Sequence, residues 1–405
     1  MKLRKIFAIL LALCLMVSFA ACGGGGGGDD PEPDPPAPAT PWLCFTAGSD
    51  AATVTTEIVA EVGTVTSPLP ALEYSLDGGE SWNTFTVADT SVTLPKNGDK
   101  MYIRAKSTND VFSVVVDGSN FRIIIFVMTG SIAASGNIMS LLDKDCSSTT
   151  IPCNGCFYYL FYNCISLTAA PKLPAATLTE GCYAAMFGGC TNLTTAPVLP
   201  ATTLYENCYV SMFNSCTSLT TAPELSATTL AKDCYASMFA GCTNLTTAPA
   251  LSAATLVQGC YSSMFDGCTG LIAAPELPAT TLARGCYSSM FRNCTSLTTA
   301  PDLLVSTLAP WCYNEMFAGC TGLIAAPELP ATTLAENCYN QMFSGCSSLT
   351  SIKVHFADAG WGVTNATADW VKGVNSLGTF YHKAGLTDLT KNDDKVPTNF
   401  TPETF

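Results

Sequence analysis

The stretch 259-GCYSSMFDGCTGLIAAPELPATTLA-283 returns almost unchanged in neighbouring parts of the chain, and it decides the fold. Cysteines recur at one fixed interval in two columns, and eight repeats carry sixteen of the 21 cysteines. A fixed period in this range is typical of a solenoid, in which one rung cannot bury its apolar face alone and must stack on its neighbours. The columns are Cys156, Cys182, Cys208, Cys234, Cys260, Cys286, Cys312 and Cys338, and Cys164, Cys190, Cys216, Cys242, Cys268, Cys294, Cys320 and Cys346.

Each rung carries a stripe with helical spacing, for example Cys260, Met264 and Cys268. Gly, Asn or Asp before the first cysteine suits a helix N-cap, and Gly before the second suits a helix exit, so the pattern predicts a short helix of about two turns. An extended piece such as LTTAPEL follows, and its recurrent proline predicts a short strand because proline cannot donate to a sheet ladder. The predicted fold is an α/β solenoid of 26-residue rungs with short parallel strands and short helices.

The order aromatic, x, x, Cys, x, x, Leu, followed by a Pro-containing extended piece, resembles the BspA-type leucine-rich repeats of bacterial surface proteins. The resemblance covers residues 130–352. The rung here is longer than the commonest version of that family, and Ala often stands where the family prefers Ile. The resemblance implies a leucine-rich-repeat solenoid and binding to host extracellular-matrix proteins or to other cells. Because packed helices are spaced more widely than strands, the rungs are expected to form a curved stack with the strands on the concave side.

The repeat cysteines are expected to be buried free thiols that act as small apolar side chains. Eight helical residues would separate the two cysteines of a rung by about 12 Å, beyond the reach of a disulfide. Cys146 and Cys153 lie beside the first repeat and form a candidate disulfide. The two histidines, His355 and His382, lie outside the repeats, so neither a metal site nor a cofactor is expected.

A small β-domain is predicted before the repeats, because short alternating segments with turn signals indicate an antiparallel, immunoglobulin-like β-sandwich. Within it, SLDGGESW resembles the Asp-box hairpin of sialidases, through Ser75, Asp77, Gly79 and Trp82. A tight hairpin on which Trp82 packs explains the same residues. A glycan-acting enzyme is therefore only a distant alternative, and no enzymatic activity is expected.

The start of the chain, residues 1–21, combines Lys2, Arg4 and Lys5 with a short apolar run, which is typical of a secretory signal. Ala20 and Ala21 before Cys22 resemble a bacterial lipobox, in which the cysteine is acylated. The predicted organisation is a signal peptide at 1–21, a Gly/Pro/Asp-rich tether at 22–41, the β-domain at 42–128, a degenerate opening rung at 129–155, repeats at 156–352 and a C-terminal cap at 353–405. The expected location is the outer membrane or cell surface of a bacterium, with the membrane contacted through the lipid anchor alone.

A candidate binding surface lies on the least repetitive rung, where Trp311 replaces the usual residue before the first cysteine and Arg292 and Glu315 lie near it. Ordinary sequence drift, with Trp311 folded onto the stack, is the alternative. The formal net charge of -14 disfavours nucleic acid as a partner. The leading hypothesis is an anchored binding or adhesion protein for an extracellular protein or glycan, and the alternative is a structural surface or spacer lipoprotein without a specific ligand. No oligomeric state follows from the sequence.

Overall fold

The structure is a computed structural model that describes residues 41–117 and 119–405. The predicted signal peptide, Cys22 and the tether up to residue 40 lie outside the described residues. Two short 3₁₀-helices span Ile138–Leu141 and Asp358–Gly362. The strands are β1 Leu43–Ala47, β2 Ala52–Val62, β3 Leu72–Ser75, β4 Asn83–Phe85, β5 Ser91–Leu94, β6 Lys100–Ala105, β7 Val114–Asp117, β8 Asn120–Thr129, β9 Ile132–Ser135, β10 Leu167–Ala169, β11 Ala325–Leu329, β12 Ser351–Val354, β13 Gly378–His382 and β14 Phe400–Thr404.

Two sheets form the β-domain that the alternating pattern predicts. One has the strand order β10-β9-β1-β6-β3-β4 and the other β5-β2-β8-β7, and the pairs within the β-domain are antiparallel. In β2 the residues Ala52, Val54 and Thr56 are buried on one face, as period-two alternation requires. Phe45 of β1 and Phe126 of β8 meet edge to face at 5.1 Å, so the two sheets pack against each other.

The β-domain continues directly into the repeats. Strand β9 pairs antiparallel with β1 and parallel with β10, which belongs to the first cysteine-bearing rung. Ile132 lies opposite Leu167 in this pairing. Leu141, which precedes Leu167 by one repeat period, therefore does not fill the place of the repeated leucine in the opening rung. The pairing of β9 with β1 and β10, and not the repeat period of the sequence, sets the register where the β-domain joins the coil.

No α-helix occurs in the described residues, so the predicted helix between the two cysteines of each rung is wrong. In the rung that starts at Cys182, every second amide donates to the carbonyl three residues earlier, as from Met186 to Tyr183 at 3.2 Å. The amides between them donate to the next rung, as from Phe187 to the carbonyl of Met212 at 2.9 Å. An α-helix would direct each of these amides four residues back along its own segment.

A left-handed residue at every fourth position enforces this conformation. Gly181, Ala185 and Gly189 have φ values of 58, 47 and 75°, and the same three positions have positive φ in the following rungs. Such a residue cannot continue a right-handed helix. Gly, Asn, Asp and Ser fill most of these positions because they tolerate the left-handed region. We call this segment of each rung the turn face.

The opposite side of the rungs is paired in parallel, by single bridges between β10 and β11 and by strands from β11 onward. Thr195, Thr221 and Thr247 form a file of single parallel bridges that continues through Ala273 and Thr299 to Ala325 in β11. The turn face is also hydrogen-bonded from rung to rung. The predicted curvature depended on wide helices opposite narrow strands, and the described residues contain no α-helix.

Two ladders of aromatic rings run through the core. Phe157 stacks on Tyr183 at 5.9 Å, and the tyrosines repeat at 5.8 to 6.1 Å up to Tyr339. Phe161 begins a parallel ladder of phenylalanines at 5.5 to 5.9 Å. Phe126 of the β-domain stacks on Phe161, and Trp370 receives both ladders at the other end. One continuous core thus joins the β-domain to the coil.

The coil continues into the region predicted as a cap. The amides of Tyr339 and Phe343 donate to the carbonyls of Ala366 and Trp370, so the next rung is slightly longer than those before it. The sequence pattern of the cap predicts a helix with Trp370, Val371 and Val374 facing inward. These residues are buried, but they lie in the turn face of this rung and not in a helix. Strands β12, β13 and β14 then extend the parallel sheet, and Pro402 of β14 lies opposite Phe380.

Candidate functional site

The sixteen repeat cysteines are all buried and all free thiols, as expected. The second column has a further role that the sequence did not reveal. Each of its thiols donates to the carbonyl of a phenylalanine one rung earlier, as from Cys242 Sγ to Phe213 O at 3.1 Å and from Cys268 Sγ to Phe239 O at 3.0 Å. The first thiol of this column, Cys164, donates in the same way to Phe126 of the β-domain at 3.0 Å.

Burial suppresses ionisation of these thiols. It raises the pKa of Cys286 to about 11 and that of Cys268 to about 12, because the thiolate would lose its hydration in the core. Burial likewise raises the pKa of the stacked tyrosines, for example Tyr235 and Tyr261. Since the thiolate is the nucleophile in cysteine chemistry, the columns beyond Cys156 are packing groups and not reactive groups.

The candidate disulfide residues lie in different surroundings, and both are free thiols. Cys146 Sγ donates to Pro41 O at 3.7 Å, whereas Cys153 Sγ donates to Ser113 O at 3.6 Å. Cys153 instead interacts with Cys156, three residues later. A hydrogen bond between these two thiols lowers the pKa of Cys153, and burial raises that of Cys156. The structure therefore brings Cys153 to Cys156, whereas Cys146 bonds to Pro41.

The predicted binding surface is assembled only in part. Arg292 and Glu315 form an ion pair with 3.4 Å between Nη1 and Oε2, on the turn faces of adjacent rungs. Trp311 lies in the left-handed region with φ 63° and is half-buried, and its indole Nε1 is buried without a partner. The cation over its ring is Arg284, at 5.8 Å.

The Asp-box-like turn is a self-contained hairpin. Ser75 Oγ donates to Asp77 Oδ1 at 2.6 Å, and the amide of Gly79 donates to Ser75 Oγ at 2.8 Å. Hydrogen bonds from Ser75 and Ser81 hold the pKa of Asp77 well below its usual range. Trp82 donates to the carbonyl of Gly79 at 3.0 Å and lies under Arg104, so the motif has a structural explanation within the β-domain.

A groove of about 500 Å³ opens where the β-domain meets the first three rungs. Tyr158 and Tyr159 line it, and their ring centroids are 4.2 Å apart. Tyr162 continues the cluster at 4.5 Å from Tyr159 and is 39% exposed. The next rung has Ala184, Ala185 and Gly188 at the equivalent positions.

The floor and far wall of the groove are mostly small or apolar. Ala184 and Val210 form the floor along the turn face, and Val115 and Val116 of β7 form part of the wall. Polar groups gather at one side, where Asn154 Nδ2 donates to Glu180 Oε2 at 3.3 Å. The sequence-based predictions missed this site, although alignment of the rungs would have shown that only the first carries three tyrosines on its turn face.

No protein-family model matches this chain, and no curated protein or solved structure is significantly similar to it. Within residues 41–117 and 119–405, no helix is long and apolar enough to cross a membrane. The same part of the chain holds no group of three or more His, Cys, Asp or Glu residues placed to bind a metal ion.

Proposed function

We propose that this protein is a surface-anchored binding or adhesion protein that presents its coil to an extracellular protein or glycan. The observation that supports the proposal is the unbroken stacking from Phe126 of the β-domain to Trp370 of the last full rung. Such a core fixes exposed side chains in regular columns along a stiff body. A ligand then meets a surface that is already organised, which lowers the entropic cost of binding.

Anchoring belongs to the same proposal. The lipobox-like sequence before Cys22 and the Gly/Pro/Asp-rich tether would hold the coil away from a bacterial outer membrane. The resemblance to BspA-type repeats supports a role at the cell surface, although a coil without helices differs from the leucine-rich-repeat geometry that the resemblance implies. The fold of the proposed display surface is therefore a hydrogen-bonded solenoid of turns and short strands.

A structural spacer without a specific ligand is the second candidate. One observation favours it: the exposed threonine files vary little, because Thr195, Thr221, Thr247 and Thr299 occupy one column. A surface that repeats in every rung offers few distinct contacts with which to recognise one partner. The non-repeating features concentrate instead at the first rung and around Arg292.

Binding by the purified full-length chain to arrays of extracellular-matrix proteins and of glycans tests the proposal. A binding protein gives saturable binding that an excess of unlabelled chain displaces. Consistent absence of saturable binding on both arrays would favour the spacer. Substitution of Cys22 by Ala, followed by fractionation of the producing cells, tests the anchor separately, because the variant should leave the membrane fraction.

A further inference from the structure

We infer that the groove between the β-domain and the first three rungs binds an uncharged saccharide. This inference rests on the proposed binding function and deepens it by naming the site and the ligand class. The groove is a concave, largely apolar surface with a few polar groups at one side, which is the usual composition of a small-ligand site. It is also one of the places where the coil departs from its repeat.

The tyrosines supply the stacking surface. Tyr158 and Tyr159 line the groove and Tyr162 adjoins them, with centroid separations of 4.2 and 4.5 Å, at positions where no later repeat has an aromatic residue. A pyranose ring has a face of aliphatic C–H groups, which packs on the electron-rich face of an aromatic ring. The phenolic hydroxyls at the rim can still reach sugar hydroxyls.

The polar side of the groove suits hydroxyl groups. Glu180 offers carboxylate oxygens, and Asn154 and Asn207 offer amides that can both donate and accept. A sugar hydroxyl can satisfy either kind of group. Among the described residues that line the groove, Glu180 is the charged one and no Lys, Arg or His is present. Sialylated, sulfated or uronic-acid saccharides would therefore be repelled.

Backbone pairing disfavours an extended peptide in the same place. Strand β7 is the last strand of its sheet and lies against the groove, so a peptide could add to it if its outer amides were free. They are not free, because the amide of Ser113 donates to Cys156 O at 2.9 Å and that of Val115 donates to Asn154 O at 3.1 Å. Recognition in the groove must therefore proceed through side chains.

Calorimetric titration of the full-length chain tests the inference with named probes. Cellotetraose and chitotetraose are the neutral probes, and sialyllactose, a heparin tetrasaccharide and a lysine-rich octapeptide are the contrasting ones. A printed array of neutral glycans widens the first group. We expect saturable binding of at least one neutral saccharide and no binding of the anionic probes or the peptide.

Variants then place the binding in the groove. Tyr159→Ala should weaken the affinity about tenfold because the stacking surface is lost, whereas Tyr159→Phe should retain it. Tyr205→Ala is the matched control, since Tyr205 is an exposed tyrosine that does not line the groove. Circular dichroism and the thermal midpoint verify that each variant folds.

Binding only of anionic probes or of the peptide would overturn the inference, as would the absence of binding to every neutral glycan. Neutral binding that Tyr159→Ala leaves unchanged would also overturn it, but would support the proposed binding function at another surface. Loss of all binding on the matrix and glycan arrays would instead remove the proposed function itself. The two failures are thus distinguishable.

Discussion

The β-domain and the coil bury apolar side chains in opposite ways. In the β-domain, a strand such as β2 alternates inward and outward residues, and different side chains from two sheets fill the core. In the coil, each side chain stacks on its own copy one rung away, as Phe239 does on Phe213 and Phe265. The comparison shows that a repeat needs only one good contact geometry, because every rung reuses it.

Because the coil stacks buried thiols in columns, we expect alkaline pH to destabilise it steeply. Burial raises the pKa of the column thiols, to about 11 for Cys286 and about 12 for Cys268, from an ordinary value of 9.0. Between those values the folded chain binds more protons than the unfolded chain, so the free energy of unfolding falls as pH rises. Each such thiol contributes a slope of about 1.4 kcal/mol per pH unit.

Ionisation of the sixteen thiols should therefore unfold the chain within a narrow pH interval above 9. The measurement is a pH titration followed by circular dichroism and by phenolate absorbance, which reports the buried tyrosine ladder. We expect both signals to change together. Phenolate absorbance that rises gradually while the circular dichroism stays constant would show that the tyrosines and thiols are accessible in the folded coil.

A second prediction concerns the joint between the two regions. Because Cys153 and Cys156 interact, we expect oxidised glutathione to produce a Cys153–Cys156 disulfide by exchange, with release of two molecules of reduced glutathione. Closing so short a loop should stabilise the chain by about 2 kcal/mol. Fragment-ion mass spectrometry identifies the pair, and urea unfolding measures the gain.

Cys146→Ser is the control for that experiment, since it should leave both the disulfide and the gain intact. Detection of a Cys146–Cys153 bridge, or loss of the oxidised species in Cys146→Ser, would contradict the pairing. Cys153 also contacts Ser113 of the β-domain. The disulfide would therefore form at the boundary between the β-domain and the coil, which pack their cores differently.

The third and smallest effect tests the turn face. Ala185 has φ 47°, a conformation that costs an L-residue about 1 kcal/mol, so Ala185→Gly should stabilise the chain by about 0.5 to 1 kcal/mol. Ala184, the adjacent buried alanine, has no positive φ, and Ala184→Gly should destabilise the chain by a similar amount. Urea unfolding of the two variants beside the parent chain gives the comparison.

A helical rung would give a different result. There, Gly would destabilise at both positions because it raises the backbone entropy of the unfolded state. Equal destabilisation by Ala184→Gly and Ala185→Gly would thus support a helical rung and contradict the left-handed conformation of the turn face. The two residues are adjacent and share burial and side-chain type, so packing alone predicts no difference in sign.

The sequence predicted which residues form the core more successfully than it predicted the backbone that carries them. The cysteine and methionine columns and most of the repeated leucines are buried, and Trp370, Val371 and Val374 are buried as expected. The stripe Cys260, Met264, Cys268 has a spacing of four, and over so short a segment that spacing fits both a helix of about 3.6 residues per turn and a chain of four-residue turns. The alternation of buried and exposed residues in β2 was not ambiguous in this way, because a side-chain period of two indicates a strand.

The hydrogen bonds between rungs were the missing information. Gly, Asn and Asp before the first cysteine fit a helix cap and a left-handed turn equally well, and only the neighbouring rung decides between them. The rung after Leu349 was missed because Ala366, Trp370 and Val374 replace the marker residues and the period is locally lengthened. The groove was missed because it needs β7, which is distant in sequence from Tyr158 and Tyr159.

Pro402 has a consequence for assembly. Phe405 donates its amide to His382 O at 3.1 Å, so alternate residues of β14 face β13 and Pro402 faces away from it. The outward amide of Phe400 is already bonded to Pro397 O. Of the outward positions in β14, Thr404 alone retains a donor for an incoming strand. The parallel sheet therefore ends in a blunted edge, which protects a repetitive and otherwise self-complementary coil from polymerising end to end.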